Sequence, residues 1–595
     1  MTCVLYEARL ALFTLLILSV QLADSYHSGA PPCRYIPGDA RWPSGAQWDR
    51  LNATVGGRLI ATKPLASVCH DPIYNAAMCS TLKDEWDTPL PFIQAPAEIV
   101  TALFQNQSCV PFTSISTPCT LGNYVSFSIN VTGVRDAVAG LKFAKDNNIR
   151  LVIKNTGHDY LGKSTGKGGL ALWMHNLKSV EIIDSYKSRN YKGPAAKLGA
   201  GVIAADAYLA VHQRGYRVVG GSCPTVGLAG GYSQGGGHSS LSGQYGLGAD
   251  NVLEWEVVTA DGRHLVATPT EHEELFWALS GGGGGTFAVV LSMTTRLHAD
   301  GPVGGGLLVL NITQTGPEVY WDTVELFHAA LPAIVDTGAT VSYQITNSLF
   351  IIGAIAAPDR TAAEVTALLS PVLTSLEAKA APFLWIPSHF ETFYDWFSAA
   401  FGPLPLGIFP VGGLTASRLF PRKAVASQPK KVNDALRNTV ASGTFHLACL
   451  GLNANISSAS ASSTSSSRPG APPVNAVHPA WRETLMHCIV IADWDWTIPS
   501  STMVAREAEL TARVVPALEA VTPGSGTYLN EANFLQPHWQ REFYGANYPR
   551  LLDVKRRLDP EGVFYARTAV GSEAWAADRE GRLCRPGKKY GEDDL

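Results

Sequence analysis

The 595-residue chain is 46% hydrophobic and 16% charged, with 56 glycines and 37 prolines. That is a globular, turn-rich composition, not a disordered one, and its length leaves room for more than one domain. The formal net charge of -4 supplies neither a basic field for nucleic acid nor a polybasic patch for a membrane surface.

At the N-terminus, Arg9 precedes an apolar run from Leu10 to Leu22, and Ala23-Asp24-Ser25 places small residues where a signal peptidase cuts. Residues 1–25 are expected to be a secretory signal. The run is short for a membrane span, and no later segment reaches the roughly 20 apolar residues that one requires. In the secretory pathway Asn52, Asn106, Asn130, Asn311 and Asn455 become glycosylation acceptors, each with Ser or Thr two positions on. Loss of Cys3 with the signal leaves Cys33, Cys69, Cys79, Cys109, Cys119, Cys223, Cys449, Cys488 and Cys584. The set is odd, so one thiol is expected to do something other than pair.

Residues 26–90 are rich in Pro, Cys and Trp and read as a disulfide-rich N-terminal arm. Val134, Ala137, Val138, Leu141 and Ala144 recur at helical spacing, ending near Asn147-Asn148, and Arg150 to Lys154 reads as a buried strand. Directly after it comes Asn155-Thr156-Gly157-His158-Asp159-Tyr160, continuing to Ser164. Gly157 to Ser164 matches the pattern of a phosphate loop, but the glycines that follow disfavour the helix such a loop needs.

A second segment runs from Gly220 to His238 and holds Cys223-Pro224-Thr225-Val226-Gly227, with further glycines at 230, 231 and 235 to 237. Such a backbone can wrap closely around a ligand and turn its N–H groups toward phosphate oxygens. Val252 to Thr259 reads as a strand before the Asp261-Gly262 turn. A third segment, Leu275 to Val290, is a helix stopping at the glycine run 281–285 and followed by a strand.

From residue 301 the pattern changes to longer strands and amphipathic helices, as in Gly306 to Asn311 and Thr361 to Leu369. This reads as a second α+β domain over 301–524, with a Ser/Pro/Gly-rich loop at 457–473. Ile491 to Trp496 either lines a pocket or packs. Residues 525–575 form a further segment and 576–595 a charged tail.

In this order the three segments, with Leu247 to Val252, Tyr528 to Asn533 and Tyr544 to Leu551, resemble the berberine bridge enzyme-like branch of the vanillyl-alcohol oxidase superfamily. The likeness is strongest to its fungal FAD-linked oxidoreductases. The resemblance implies an α+β fold: a PCMH-type FAD-binding domain of two α+β subdomains over 91–300, and a substrate domain with an antiparallel sheet and helices. The segment 525–575 would return to the FAD domain.

It also implies bicovalent FAD, with His158 linked to the flavin 8α carbon and Cys223 to C6. Taking Cys223 out leaves an even cysteine set, which agrees with the count. Asn155, Thr156, Gly157, Pro224, Thr225, Val226, Gly227, Gly230, Gly231, Gly235, Gly236 and Asn530 would complete the cofactor site. Glu531 follows Asn530 at the family's active-site position and is a candidate catalytic base, though a surface or salt-bridged glutamate would read the same way. Tyr160 matches a pocket-lining residue.

No metal is expected, because His70, His158, His238 and His487 show no ligand spacing with cysteines. The implied reaction moves hydride from a small organic substrate to flavin N5, with dioxygen reoxidising the flavin, in fungal secondary metabolism. A secreted carbohydrate oxidase and a catalytically silent flavin-binding protein are the alternatives. No nucleic-acid partner and no membrane span are expected; the oligomeric state stays open, and a monomer is compatible with the sequence.

Overall fold

The computed structural model describes residues 33–105, 108–455 and 475–585. The expected signal at 1–25, Asn106, the 457–473 loop and the tail beyond 585 lie outside them. In the first layer, helix α1 (Gly45–Thr54) and strand β1 (Leu59–Ala61) come from the expected N-terminal arm. β1 pairs antiparallel with β2 (Phe127–Asn130), giving an edge strand to a four-stranded sheet. Trp48 of α1 stacks on Phe127 with ring centroids 4.0 Å apart.

Helix α2 (Val134–Asp146) follows the expected spacing and buries Ala137, Leu141 and Ala144 against Ile129 and Leu172. Strands β3 (Leu151–Lys154) and β4 (Leu170–Trp173) run parallel to each other, and β4 also runs parallel to β2. All four residues of β4 are buried, as a strand covered on both faces requires.

The second layer is a five-stranded antiparallel sheet. Its strands are β5 (Val180–Lys187), β6 (Lys192–Gly199), β7 (Val252–Val258), β8 (His264–Ala267) and β9 (Val289–Arg296), in the order β5-β6-β9-β7-β8. Helix α3 (Ala204–His212) precedes the glycine-rich segment, and α4 (Glu273–Leu279) stops at the 281–285 run as expected.

The third unit has a seven-stranded antiparallel sheet. Its strands are β10 (Val303–Asn311), β11 (Thr340–Ile345), β12 (Leu349–Pro358), β13 (Leu384–Phe390), β14 (Leu414–Pro421), β15 (His446–Gly451) and β16 (Thr484–Ala492), in the order β13-β10-β12-β11-β15-β16-β14. Helices α5 (Pro317–Val335), α6 (Ala362–Ala378) and α7 (Pro429–Val440) bury one face of it in the largest apolar core. Thr361 caps α6, which continues beyond the expected Leu369. The opposite face carries Ser342, Gln344 and Ile351 toward a cavity.

Helix α8 (Tyr548–Leu558) packs Leu551 and Val554 into the core of the second layer, so the C-terminal segment returns to it. Cys33–Cys584 bridges the two ends of the described chain; Cys69–Cys79 and Cys109–Cys119 are local, and Cys449–Cys488 joins β15 to β16. Cys33 thus pairs outside the arm. Cys223 is the free thiol among the described cysteines. No helix among the described residues is long and apolar enough to cross a membrane.

Candidate functional site

A cavity of about 580 Å³ opens where the loops of the first two layers meet the open face of the seven-stranded sheet. Its floor begins at Asn155, where the chain leaves β3. Gly157 takes a left-handed φ of 87°, and a Cβ there would stand 3.0 Å from the Glu98 carbonyl oxygen. No helix follows through Ser164, so the phosphate-loop pattern lacks its structure.

His158 and Cys223 meet at a single hydroxyl. His158 Nε2 lies 2.7 Å from Thr225 Oγ1, and Cys223 Sγ lies 3.5 Å from the same oxygen. Burial, and then the Lys154 ammonium, lower the His158 imidazole to about 4. The ring is therefore neutral at ordinary pH, with Nε2 engaged by the Thr225 hydroxyl. Burial pushes the Cys223 thiol up.

The glycine-rich segment is shaped around two asparagines. A Cβ at Gly227 or Gly230 would come within 2.8 or 2.7 Å of the Asn155 amide, and one at Gly235 within 2.5 Å of Asn530. Asn155 Nδ2 donates to the Ala200 carbonyl at 2.5 Å, while its Oδ1 is buried without a partner, as is Gln234 Oε1. Asn530 Nδ2 donates to the Gly231 carbonyl and to Tyr528 Oη, both at 2.8 Å.

Thr156, Val226 and Gly231 line the cavity with these residues, whereas Pro224, Thr225, Gly235 and Gly236 stand behind its wall. A neutral imidazole beside a thiol, close-approach glycines and orphaned buried amide oxygens suit a flavin whose benzenoid edge lies at His158 and Cys223.

Across the cavity, Glu531 carries a relationship that motif spacing did not reveal. His238 Nε2 lies 3.0 Å from both of its carboxylate oxygens, and His487 Nε2 lies 2.6 Å from Oε2. An ionised carboxylate only accepts, so both imidazoles present Nε2–H. Glu531 is neither a surface residue nor paired with a lysine or arginine. These three side chains converge as metal ligands could. Metal-bound imidazoles, however, pass their second N–H to an acceptor, and Nδ1 of both rings is buried without one. The cluster is a hydrogen-bonded one. Trp481 and Tyr528 pack around both rings.

Burial, reinforced by Cys223 and Glu531, holds the Tyr160 phenol well above its ordinary value, so it stays a donor. Lys163, in the same loop, lines the cavity with its Nζ buried and unpartnered, lowered by burial to about 8. Strand β16 sends His487, Ile489 and Ile491 to the cavity, every second residue. Of the Ile491–Trp496 stretch, Ile491 and Asp493 line it; Trp496 packs instead against Trp86 and Phe112. His487 had one sequence signal, a lone polar residue in an apolar strand.

Two family models match, described as "FAD binding domain" over residues 126–268 and "Berberine and berberine like" over 527–571. The VAO-type flavoprotein oxidase VAO615 of Thermothelomyces thermophilus is 51% identical over 569 residues, covering 94% of this chain and 96% of that protein. The bifunctional decalin synthase calF of Penicillium decumbens is 50% identical over 586 residues, covering 96% and 100%. The crystal structure of the VAO-type flavoprotein MtVAO615 from Myceliophthora thermophila C1 superposes with a TM-score of 0.88 at 49% identity, covering 93% of this chain and all of that one.

Proposed function

This chain belongs to the VAO-type, berberine bridge enzyme-like FAD-linked oxidoreductases, and from that membership we propose that it holds FAD through two covalent bonds, at His158 and Cys223, to oxidise an apolar alcohol. It is an FAD-dependent oxidoreductase acting on a small molecule. The observation that carries the linkage is the meeting of His158 and Cys223 at one threonine hydroxyl, although 65 residues separate them. Bound flavin supplies a hydride acceptor at N5 and a route for electrons to dioxygen.

The protein's own residues then divide the work. Asn155 and Asn530 brace the glycine-rich backbone on which the cofactor rests. His238, Glu531 and His487 face the reacting end, and the Tyr160 phenol is a donor for the substrate oxygen. Ile351, Ile489, Ile491 and Phe409 offer the substrate an apolar wall.

That wall favours an apolar metabolite over a sugar. Work in fungal secondary metabolism is supported by a relative named as a decalin synthase. A silent flavin-binding role would leave the His238–Glu531–His487 cluster without purpose.

Secretion as a monomer, with sugar at Asn52, Asn106, Asn130, Asn311 and Asn455, completes the reading. Four disulfides support an oxidising compartment. Acid denaturation of the purified protein tests the linkage. Yellow colour should stay with the unmutated chain and with either His158→Ala or Cys223→Ala, and leave the double variant. Flavin released from the unmutated chain would refute the covalent assignment.

A further inference from the structure

The open face of the seven-stranded sheet does not stop at the cavity. Side chains alternate between the two faces along each strand. Leu308 and Leu310, Val341 and Tyr343, Phe350 and Ile352 are buried in the core under α5, α6 and α7. The residues between them therefore face the other way, and strand register lines them into one row. Ile489 pairs with Ala448, Ala448 with Gln344, Gln344 with Ile351, Ile351 with Val309, and Val309 with Leu384. The first four residues line the cavity. The last two continue the row beyond it, and Leu307, opposite Ile386, runs beside them.

At its outer end the row is open. The helix Phe393–Phe401 covers one end of this face, where Trp396 Nε1 donates to the Ile355 carbonyl at 2.9 Å and Ala354 and Ala356 are buried. It leaves Leu384 48% and Ile386 49% exposed, with Val309 and Leu307 half-buried. Single exposed aliphatics need no explanation, but four adjoining ones that extend the wall of a cavity mark a contact surface. Gln344 is the polar member of the row; the rest is aliphatic.

We propose that this row is a groove for a linear hydrocarbon chain, and that the substrate is an alcohol whose long tail rests at its far end on Val309, Leu384, Leu307 and Ile386. The inference deepens the oxidation of an apolar alcohol and rests on that reading for which end of the chain reacts. His487, two residues before Ile489 on β16, faces the reacting end. Adjacent strands stand about 4.8 Å apart, so the five steps from Ile489 to Leu384 span roughly 24 Å. An extended chain advances about 1.2 Å per bond. A tail of about 12 bonds therefore ends near Ile351, inside the cavity, and about eight more carry it to Leu384.

Photolabelling of the purified protein tests this, using octadecan-1-ol and octan-1-ol that each carry a diazirine at the end remote from the hydroxyl. Peptide mass analysis should find the octadecanol label on β10 or β13, displaced by excess plain octadecan-1-ol. The octanol label should stay on cavity segments. An octadecanol label confined to cavity segments, or one on β10 and β13 that the plain alcohol does not displace, overturns the proposal. In the variant Leu384→Thr with Ile386→Thr, β-branched residues keep the strand while the apolar contact is lost. The concentration for half-maximal labelling should rise roughly ten-fold for octadecanol and stay unchanged for octanol; equal values for octadecanol in parent and variant would overturn the groove. The labelling pattern of the parent decides the matter even if the variant does not fold. Were the patch instead to dock a second copy, the variant would lose a dimer in sedimentation and keep both affinities, which also overturns the proposal; Pro387 already gives this edge a residue without an N–H, as edges that resist pairing have.

Neither readout uses flavin. A displaceable label on β10 or β13 without flavin reduction by either alcohol would leave the groove standing and refute the alcohol oxidation. Flavin reduction by octan-1-ol, with no octadecanol label on those strands, would refute the groove alone.

Discussion

The Thr225 hydroxyl lies 2.7 Å from His158 Nε2, and under the proposed linkage that contact reserves Nδ1 for the cofactor. With Nε2–H donating to the hydroxyl, Nδ1 keeps its lone pair; with Nε2 accepting from it, Nδ1 carries the proton. Thr225→Val keeps the shape but removes the hydroxyl. It should leave the fold intact and slow formation of the histidyl–flavin bond, raising the fraction of protein whose mass reports the Cys223 link alone. Intact mass after reconstitution for increasing times checks this; an unchanged time course would show that Thr225 does not orient the ring.

Gly227 is a site of steric close approach. An added Cβ would come within 2.8 Å of Asn155 Oδ1, so Gly227→Ala must displace Asn155 or the loop. Protein should then purify with little flavin, read from absorbance relative to total protein. Gly45→Ala, where a Cβ meets nothing within 4 Å, serves as the control and should stay yellow.

Arg418 and Glu542 form a buried ion pair 2.5 Å apart, and the same guanidinium binds Thr522 through Oγ1 and the carbonyl. It fastens β14 to the C-terminal segment. Arg418→Met leaves Glu542 Oε2 without its guanidinium while Arg541 still holds Oε1 at 2.7 Å, so the cost should fall below the roughly 3–5 kcal/mol of a fully stranded buried charge. Denaturant unfolding followed by tryptophan fluorescence should show a correspondingly lower midpoint. A midpoint within experimental error of the parent would count against the pair's role.

His328 is buried in the substrate domain between Asn433 Oδ1 and Tyr343 Oη, and burial lowers it to about 4. In the unfolded chain it titrates near 6.5, so the unfolded state binds more protons between these values. Stability is therefore unaffected above about pH 6.5, and declines as pH falls toward 4 by up to about 3 kcal/mol. His328→Gln should flatten this part of the stability profile; an equally steep decline in the variant would assign the slope to other groups.

Local order was legible wherever neighbours in sequence are neighbours in space. The spacing from Val134 to Ala144 became α2, and the glycine run 281–285 ended α4, because helix periodicity and glycine's backbone freedom act within a few residues. The pairing of Cys33 with Cys584 was not legible. Parity could say that eight of these cysteines pair, but which ones meet depends on where the C-terminal segment folds back.

His158 and Cys223 could be singled out because the segments that hold them resemble the family's, and cysteine parity agreed for Cys223. What Glu531 does could not. Its character comes from His238, at the end of a glycine-rich loop, and His487, on a strand of a different sheet. Periodicity, glycine placement and counting determined an α+β pattern over 301–524, three glycine-bearing segments and the odd thiol, while the family resemblance supplied the α+β FAD-binding fold and the segments' cofactor-facing role. Only the tertiary structure decided which side chains share a charge environment, because hydrogen bonds and Coulomb forces depend on distances of a few ångströms, and chain folding sets those between residues hundreds of positions apart.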